Sequence, residues 1–319
     1  MPRLAALLAI LLLAACAPTI AFPGPPMQKP ELTQDAVVAA DGAQLPLHSW
    51  ETMGEPKAII LALHGFNDYG TFIKAAGAYW AKQGISTYAY DQRGFGDAPN
   101  RGLWAGDEAY IQDLRAAFAL VQGRHPGVPV FVLGESMGGA VVLATFAEPN
   151  PPDAKGVILS APAVWGRSTM AFYERWALWA GVHMFPSFRV TGQGLNILPS
   201  DNIEMLRGLG RDPKVIKATR IDTIHGLTDM MDAGLEGAAH LEVPALILHG
   251  DKDEVIKQEP IDEMLKRLPA DARDRQTIVR YPDGYHMLLR DLQALRVWKD
   301  ILVWIESQGV ALYPSAGMN

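Results

Sequence analysis

The chain has 319 residues, 49% of them hydrophobic and 20% charged, which fits a globular protein with a substantial core and excludes global disorder. Lys and Arg total 28 against 35 Asp and Glu, a net charge of −7, so the chain has no electrostatic means of holding a phosphate backbone and nucleic acid is excluded as its main partner. A single cysteine excludes a disulfide framework and a cysteine-based zinc site.

The N-terminus reads as an export signal. Arg3 carries the only positive side chain ahead of a small and apolar run over residues 4–15. That run is about half of the roughly twenty residues a membrane-spanning helix needs, so residues 1–15 are expected to be a signal peptide. Leu13-Ala14-Ala15-Cys16 resembles the bacterial lipobox. The resemblance implies that Cys16 becomes the first mature residue and carries a diacylglycerol on its thiol. It further implies an exported protein, lipid-anchored to the bacterial cell envelope, with the outer membrane or periplasm favoured over the cytoplasm. Residues 16–34 contain Pro18, Pro23, Pro25, Pro26 and Pro30 and predict an extended tether after the lipidated cysteine. At about 3.1 Å per residue such a tether would hold the domain tens of Å off the membrane.

Residues 36–40, the Asp41-Gly42 pair and residues 45–50 predict a β-hairpin with an Asp-Gly turn. Short buried strands are expected at 58–63, 85–90, 130–133, 156–159, 245–248 and 277–281. They are apolar almost throughout, as when both faces of a parallel sheet are covered. Helical spacing separates them: Ile111, Leu114, Phe118 and Val121; Ile261, Met264, Leu265 and Leu268; Leu295, Trp298, Leu302 and Ile305. The alternation predicts an α/β fold, a mostly parallel doubly wound sheet with an N-terminal antiparallel hairpin. No strand is legible from 162 to 240, where the pattern is helical and rich in Trp, Met and Gly. This interval is expected to be a helical cap over the carboxyl edge of the sheet, the edge where open α/β sheets bind ligands. The expected organisation is therefore a core of 35–161 and 241–308, a cap of 162–240 and a tail of 309–319.

Gly134-Glu135-Ser136-Met137-Gly138 follows the strand at 130–133 and opens a helical run. This is the pattern of a nucleophile elbow, with small residues flanking the serine because the strand-to-helix turn is tight. A serine hydroxyl needs a base, and the base needs an orienting acid. On such an elbow the acid and then the histidine follow in chain order. His249-Gly250-Asp251-Lys252-Asp253 and Tyr281-Pro282-Asp283-Gly284-Tyr285-His286 each follow a buried strand, so both end at the same edge as Ser136. His286 is the expected base. Asp251 and Asp253 compete as the acid, with Glu254 third, and spacing leaves them open.

His64-Gly65-Phe66-Asn67, Asp91-Gln92-Arg93-Gly94-Phe95-Gly96, the elbow, the His249–Asp253 string and Tyr285-His286 together resemble the monoacylglycerol lipase and lysophospholipase branch of the α/β-hydrolases. Arg211-Asp212-Pro213 and the helix after it resemble that branch's cap. The resemblance implies Asp253 as the acid, because the family's acid closes a His-Gly-x-x-Asp string. It implies an oxyanion hole from the backbone N–H groups of Phe66 and Met137. It also implies hydrolysis of single-chain lipid esters through an acyl-enzyme, with no metal or organic cofactor. The sequence departs from animal members at Glu135, where they carry His.

Asp68 is a candidate for holding a polar head group, with loop capping as the competing role. Trp176, Trp179 and Met184 lie in an aromatic- and Met-rich stretch and are candidate contacts for an acyl chain; Met230 and Met231 could add to them. An exposed ridge in this stretch would suit a membrane surface. His64 and His249 are expected to shape loops, and Asp91 and Arg93 to form a structural turn and ion pair. The other histidines lack metal-ligand spacing, and Gly192-Gln193-Gly194 lacks the preceding strand of a dinucleotide fingerprint. Alternatives on the same three side chains are a small-ester carboxylesterase, a thioesterase or a proline-iminopeptidase-like peptidase; the non-enzymatic alternative is a tethered lipid-binding protein.

Overall fold

The computed structural model describes residues 17–192 and 194–307; Cys16, the signal segment 1–15 and the tail 309–319 lie outside the described residues. In chain order the elements are β1 (Glu31–Leu32), β2 (Ala36–Val38), β3 (Gln44–Trp50), β4 (Ala58–Leu63), α1 (Lys74–Ala81), β5 (Ile85–Tyr90), α2 (Asp107–Arg124), β6 (Val130–Glu135), α3 (Met137–Ala147) and β7 (Gly156–Ser160). They continue with α4 (Phe172–Met184), β8 (Arg189–Val190), α5 (Ile203–Arg211), β9 (Thr219–Arg220), α6 (Ile221–Gly237), β10 (Ala245–Gly250), α7 (Gln258–Arg267), β11 (Gln276–Tyr281) and α8 (Ala294–Glu306).

One sheet runs in the order β1-β2-β3-β5-β4-β6-β7-β10-β11. From β5 to β11 neighbouring strands are parallel, while β3 meets β5 antiparallel, with Leu47 opposite Tyr90. The expected parallel strands are all present. Successive side chains alternate between faces, and a core forms on each. Ile59, Leu61, Leu63, Val132, Leu159 and Ile247 face the layer containing α2 and α3. Ile60, Ala62, Leu133, Ile158 and Leu248 face Trp80, Val297, Ile301 and Trp304 on the other side. Because β11 is an edge strand, it alone of the parallel strands shows alternating exposure rather than full burial.

The hairpin forms around Asp41-Gly42, with Gly42 at φ 81° and its N–H donating to Ala39 O at 2.9 Å. β1, unforeseen in the Pro-rich stretch, adds an outer antiparallel strand, pairing Leu32 with Val37.

The arm before it also departs from expectation. Thr19 N–H donates to Asp222 Oδ2 at 3.0 Å, Ala21 N–H to Trp104 O at 2.7 Å, and Met27 and Gln28 N–H to Ala40 O at 2.8 and 3.1 Å. Residues 19–28 are thus fastened along the body and do not form a free spacer. An extended Pro-rich chain has no internal hydrogen bonds, and here its free N–H groups find acceptors on the domain.

The cap is narrower than the expected 162–240. It contains α4, α5 and the two-residue ribbon β8–β9, in which Arg189 pairs with Arg220. α6 instead belongs largely to the sheet's helical layer. A Cβ on Gly234 would stand 2.9 Å from Ala140 Cα, and one on Gly237 would stand 2.6 Å from Leu143 O. Only glycine allows α6 to lie this close to α3, and Met230, Leu235 and Ala238 join the main core. Among the described residues no helix is long and apolar enough to cross a membrane.

Candidate active site

Ser136 occupies the turn between β6 and α3, at φ 53° and ψ −118°. A non-glycine residue persists there only when its surroundings hold it. Ser136 N–H donates to Ser160 O at 3.0 Å, and Ser136 O accepts from Ala163 N–H at 2.9 Å. The flanking glycines make the room. A Cβ on Gly139 would lie 2.8 Å from Pro162 Cβ, and a Cβ on Gly138 would fall on the backbone of Leu63.

His286 lies in the loop after β11 and reaches the serine. Its Nδ1–H donates to Asp253 Oδ2 at 2.8 Å. The carboxylate can only accept, so Nε2 of the neutral ring is free to accept the Ser136 hydroxyl at 3.0 Å. The second carboxylate oxygen of Asp253 accepts from Val255 N–H at 2.8 Å and Ile256 N–H at 2.9 Å. The competitors are engaged elsewhere. Asp251 pairs with Arg280 at 2.8 Å, and Glu254 accepts from Leu198 N–H at 2.9 Å.

The His286 ring is buried, and burial favours its neutral form; the charge of Asp253 and its hydrogen bond outweigh this, with a further push from Glu135, and lift the imidazole above its usual value of 6.5.

Met137 is the first residue of α3, so its N–H has no acceptor within the helix. A Cβ on Gly65 would lie 3.2 Å from Ser136 Cβ and 3.8 Å from its Oγ, which sets the Gly65-Phe66 peptide beside the serine. Among the described residues neither the Phe66 nor the Met137 N–H is taken up by another backbone group.

A cavity of about 470 Å³ opens on Ser136 and His286. Trp165, Met170, Leu178, Ile224, Leu227 and Met231 supply much of its apolar wall, while Asp68, Glu135 and Arg290 form a charged end. Asp68 caps its loop, accepting from Tyr69 N–H at 2.9 Å, and its other oxygen pairs with Arg290 at 2.6 Å at the cavity wall.

Trp176, Trp179 and Met184 do not line this cavity. They are 65%, 55% and 55% exposed. Glu174 and Leu178 of α4 face inward at helical spacing, and Val182 one turn on is buried. Composition alone could not say which side of α4 faces the cavity. Met231 lines it, whereas Met230 is buried in the core.

The remaining motif residues are structural. His64 donates from Nδ1 to Gly65 O at 2.8 Å and accepts from Gln92 N–H at 2.9 Å. Arg93 bridges Asp41 and Asp113, each at 2.7 Å, instead of pairing with Asp91. Asp91 caps two loop N–H groups, of Gly70 at 2.8 Å and Asp97 at 2.9 Å, and contacts His48 at 2.8 Å. The Arg211-Asp212-Pro213 string touches the loop after β4 that carries Phe66 and Asp68, where Asp212 accepts from Tyr69 OH at 2.8 Å.

Sequence reasoning missed Arg290. Its guanidinium is buried between Glu135 and Asp68, at 2.6 Å from each. The signal available was the loop position four residues after His286.

The family model described as "Serine aminopeptidase, S33" matches residues 54–293. The chain is 24% identical over 287 residues to a monoacylglycerol lipase of Mycolicibacterium smegmatis, covering 86% of this chain and 97% of the relative. It is 25% identical over 283 residues to a human monoglyceride lipase, covering 85% and 90%. Among solved structures, a soluble variant of a Saccharomyces cerevisiae monoglyceride lipase in complex with a substrate analog superposes with a TM-score of 0.72 at 20% identity, covering 91% of this chain and 99% of that one. The fold is that of an α/β-hydrolase.

Proposed function

This chain belongs to the serine aminopeptidase S33 family, and on that footing we propose that it is a serine hydrolase that cleaves carboxylic esters of single-chain lipids, monoacylglycerols or lysophospholipids. The observation that carries the reading is the chain of contacts from Ser136 to His286 at 3.0 Å and on to Asp253 at 2.8 Å, at the mouth of a mainly apolar cavity. Its volume, about 470 Å³, falls within the roughly 300–1,000 Å³ of small-ligand sites.

His286 accepts the Ser136 proton as the hydroxyl oxygen attacks the ester carbonyl. Asp253 holds the imidazole in the right tautomer and favours the imidazolium that forms. The N–H groups of Phe66 and Met137 stabilise the oxyanion, an effect worth about 3 kcal/mol per donor. The imidazolium then protonates the departing alcohol. Water, deprotonated by His286, attacks the acyl-enzyme and releases the fatty acid. The acyl chain lies along Trp165, Met170, Leu178 and Met231. No step draws on a metal or an organic cofactor.

Cys16 is the proposed lipid attachment, which would place the enzyme on the bacterial envelope facing its lipid substrates. The outward aromatic side of α4, with Phe172, Tyr173, Trp176 and Trp179 exposed, supports work at a membrane surface. Metabolic labelling with a radioactive fatty acid tests this: the wild type should carry label in the envelope fraction, and Cys16→Ser should carry none.

The activity is tested with esters of graded chain length and with glycerol and phosphodiester head groups, on the wild type and Ser136→Ala. Hydrolysis is expected to peak at long single chains and to vanish in the variant. A flat or short-chain optimum would remove the lipid assignment.

A further inference from the structure

His286 must stand within a few tenths of an ångström of its working position, since a misplacement of about 1 Å can cost a hundredfold in rate. Yet it sits on a loop. Residues 282–293 contain no long helix or strand, so something outside the loop must fix it.

The structure supplies that support from the cap. Pro199 O accepts from Met287 N–H at 2.9 Å. Ser200 Oγ–H donates to Asp291 Oδ1 at 2.6 Å. Asp201 Oδ1 accepts from Leu292 N–H at 2.8 Å. Asn202 Nδ2–H donates to Arg290 O at 2.9 Å. Just before them, Leu198 N–H donates to Glu254, the residue after Asp253, at 2.9 Å. Consecutive cap residues are thereby bonded to both loops that carry the partners of Ser136.

Asp291 is the centre of this arrangement. While one carboxylate oxygen takes the Ser200 hydroxyl, the other accepts from the N–H of Tyr285, the residue before His286, at 2.8 Å. Ser200 and Asp291 are both buried. Burial pushes the Asp291 carboxyl up to about 6, against the hydrogen bonds from Ser200 and Tyr285. A carboxylate whose two oxygens are each held by a donor from a different segment is fixed in orientation, which suits a role in specifying geometry. Pro199 and Met287, joined by one of the bonds, also line the substrate cavity.

We propose that residues 198–202 are a clasp by which the cap holds the His286 loop, and that Ser200 and Asp291 are positioning residues that set the imidazole against Ser136. The proposal rests on the serine hydrolase reading above. It makes the cap a working part of the reaction centre as well as the wall of the acyl cavity.

The test uses a short-chain p-nitrophenyl ester, which needs little of the cap for binding, together with the rate of Ser136 labelling by a fluorophosphonate. Ser200→Ala should lower kcat and the labelling rate about tenfold, with KM within twofold and an unchanged circular dichroism spectrum. Asp291→Ala should lose more. Asp291→Asn should recover part of that loss, because its amide oxygen can still accept from Tyr285 N–H. Ser200→Ala combined with Asp291→Ala should be no worse than Asp291→Ala alone.

Folded variants with unchanged kcat would overturn the clasp. So would a rise in KM at constant kcat, which would make the segment only a cavity wall, and so would losses that simply add. If Asp291→Ala does not fold, Ser200→Ala and Asn202→Ala, each removing one side-chain bond to the His286 loop, decide the matter by the same readouts. A wild type that neither labels nor hydrolyses would instead sink the serine hydrolase reading, so the two failures are distinguishable.

Discussion

Glu135 and Arg290 form an ion pair at 2.6 Å beside the elbow serine, with side chains only 2% and 10% exposed. Arg290 also holds Asp68 at 2.6 Å, so one guanidinium serves two carboxylates. Burial raises the Glu135 carboxyl, while Arg290 acts to keep it ionised. The two carboxylates in turn hold Arg290 protonated against its own burial.

Arg290→Met should therefore be severe. It strands two buried carboxylates side by side, and breaking such a group typically costs about 3–5 kcal/mol. Denaturant unfolding should show a loss of that size. A loss below about 1 kcal/mol would mean that the group contributes little.

The acid limb of kcat/KM reports the proposed base. His286 must be neutral to accept the serine proton, and its pKa is raised above 6.5 by Asp253 and, more weakly, by Glu135. Activity should thus rise with pH through a midpoint above 6.5. Glu135→Gln removes one of the negative charges that favour imidazolium, so the midpoint should move to lower pH. The linkage to stability has the opposite sign. A raised folded-state pKa means that this group contributes stability below its unfolded value, lost as pH rises through the folded value. Acid inactivation near the midpoint should therefore occur without unfolding, which parallel circular dichroism can check.

The two sides of α4 should behave differently. Leu178 lines the cavity, while Trp176 and Trp179 face outward. Leu178→Trp should cut kcat/KM for long-chain esters about tenfold or more and shift the optimum to shorter chains, because overpacking typically costs about 1–3 kcal/mol. Trp176→Ala with Trp179→Ala should leave the hydrolysis of a soluble short ester within twofold and weaken binding to lipid vesicles. The reverse pattern would place the acyl chain on the outer surface.

The elbow glycines cannot take a methyl group. Gly138→Ala would put its Cβ on the Leu63 carbonyl, and Gly139→Ala would put it 2.8 Å from Pro162 Cβ. Gly138→Ala meets rigid backbone and should cost about 2 kcal/mol or more. Gly139→Ala meets Pro162 at longer range, Cβ at 2.8 Å and Cα at 3.0 Å, and should cost less. Thermal melts of the two variants test the order.

The sheet was legible because strands covered on both faces are apolar without alternation, as in Ile59–Leu63 and Val157–Leu159. The elbow was legible because Gly134, Gly138 and Gly139 answer a local steric demand. Asp253 could be separated from Asp251 only by a resemblance, because the two differ in the direction their side chains take from one loop. The Glu135–Arg290–Asp68 group left no pattern, since its members are 155 and 222 positions apart and nothing in a linear pattern pairs them. The clasp over residues 198–202 was hidden for the same reason, and because four of its five bonds involve a main-chain group. The N-terminal arm was misread because proline content reports the lack of internal hydrogen bonds and says nothing of external ones. Helix α6 reads as part of the cap because no strand is legible from 162 to 240 and the whole interval is helical in pattern; that Gly234 and Gly237 allow close packing on α3 shows only in the fold.

The central claim is that Ser136 is a nucleophile activated by His286 and Asp253. Incubation with a fluorophosphonate followed by peptide mass spectrometry, alongside release of fatty acid from a monoacylglycerol, tests it most directly. The account predicts one adduct, on Ser136, with fatty acid release abolished in step with labelling, and rates of both lowered by about 10⁴-fold in Asp253→Asn. Fatty acid release that persists in Ser136→Ala, or folded wild-type protein that takes no label while hydrolysing the substrate, would contradict it.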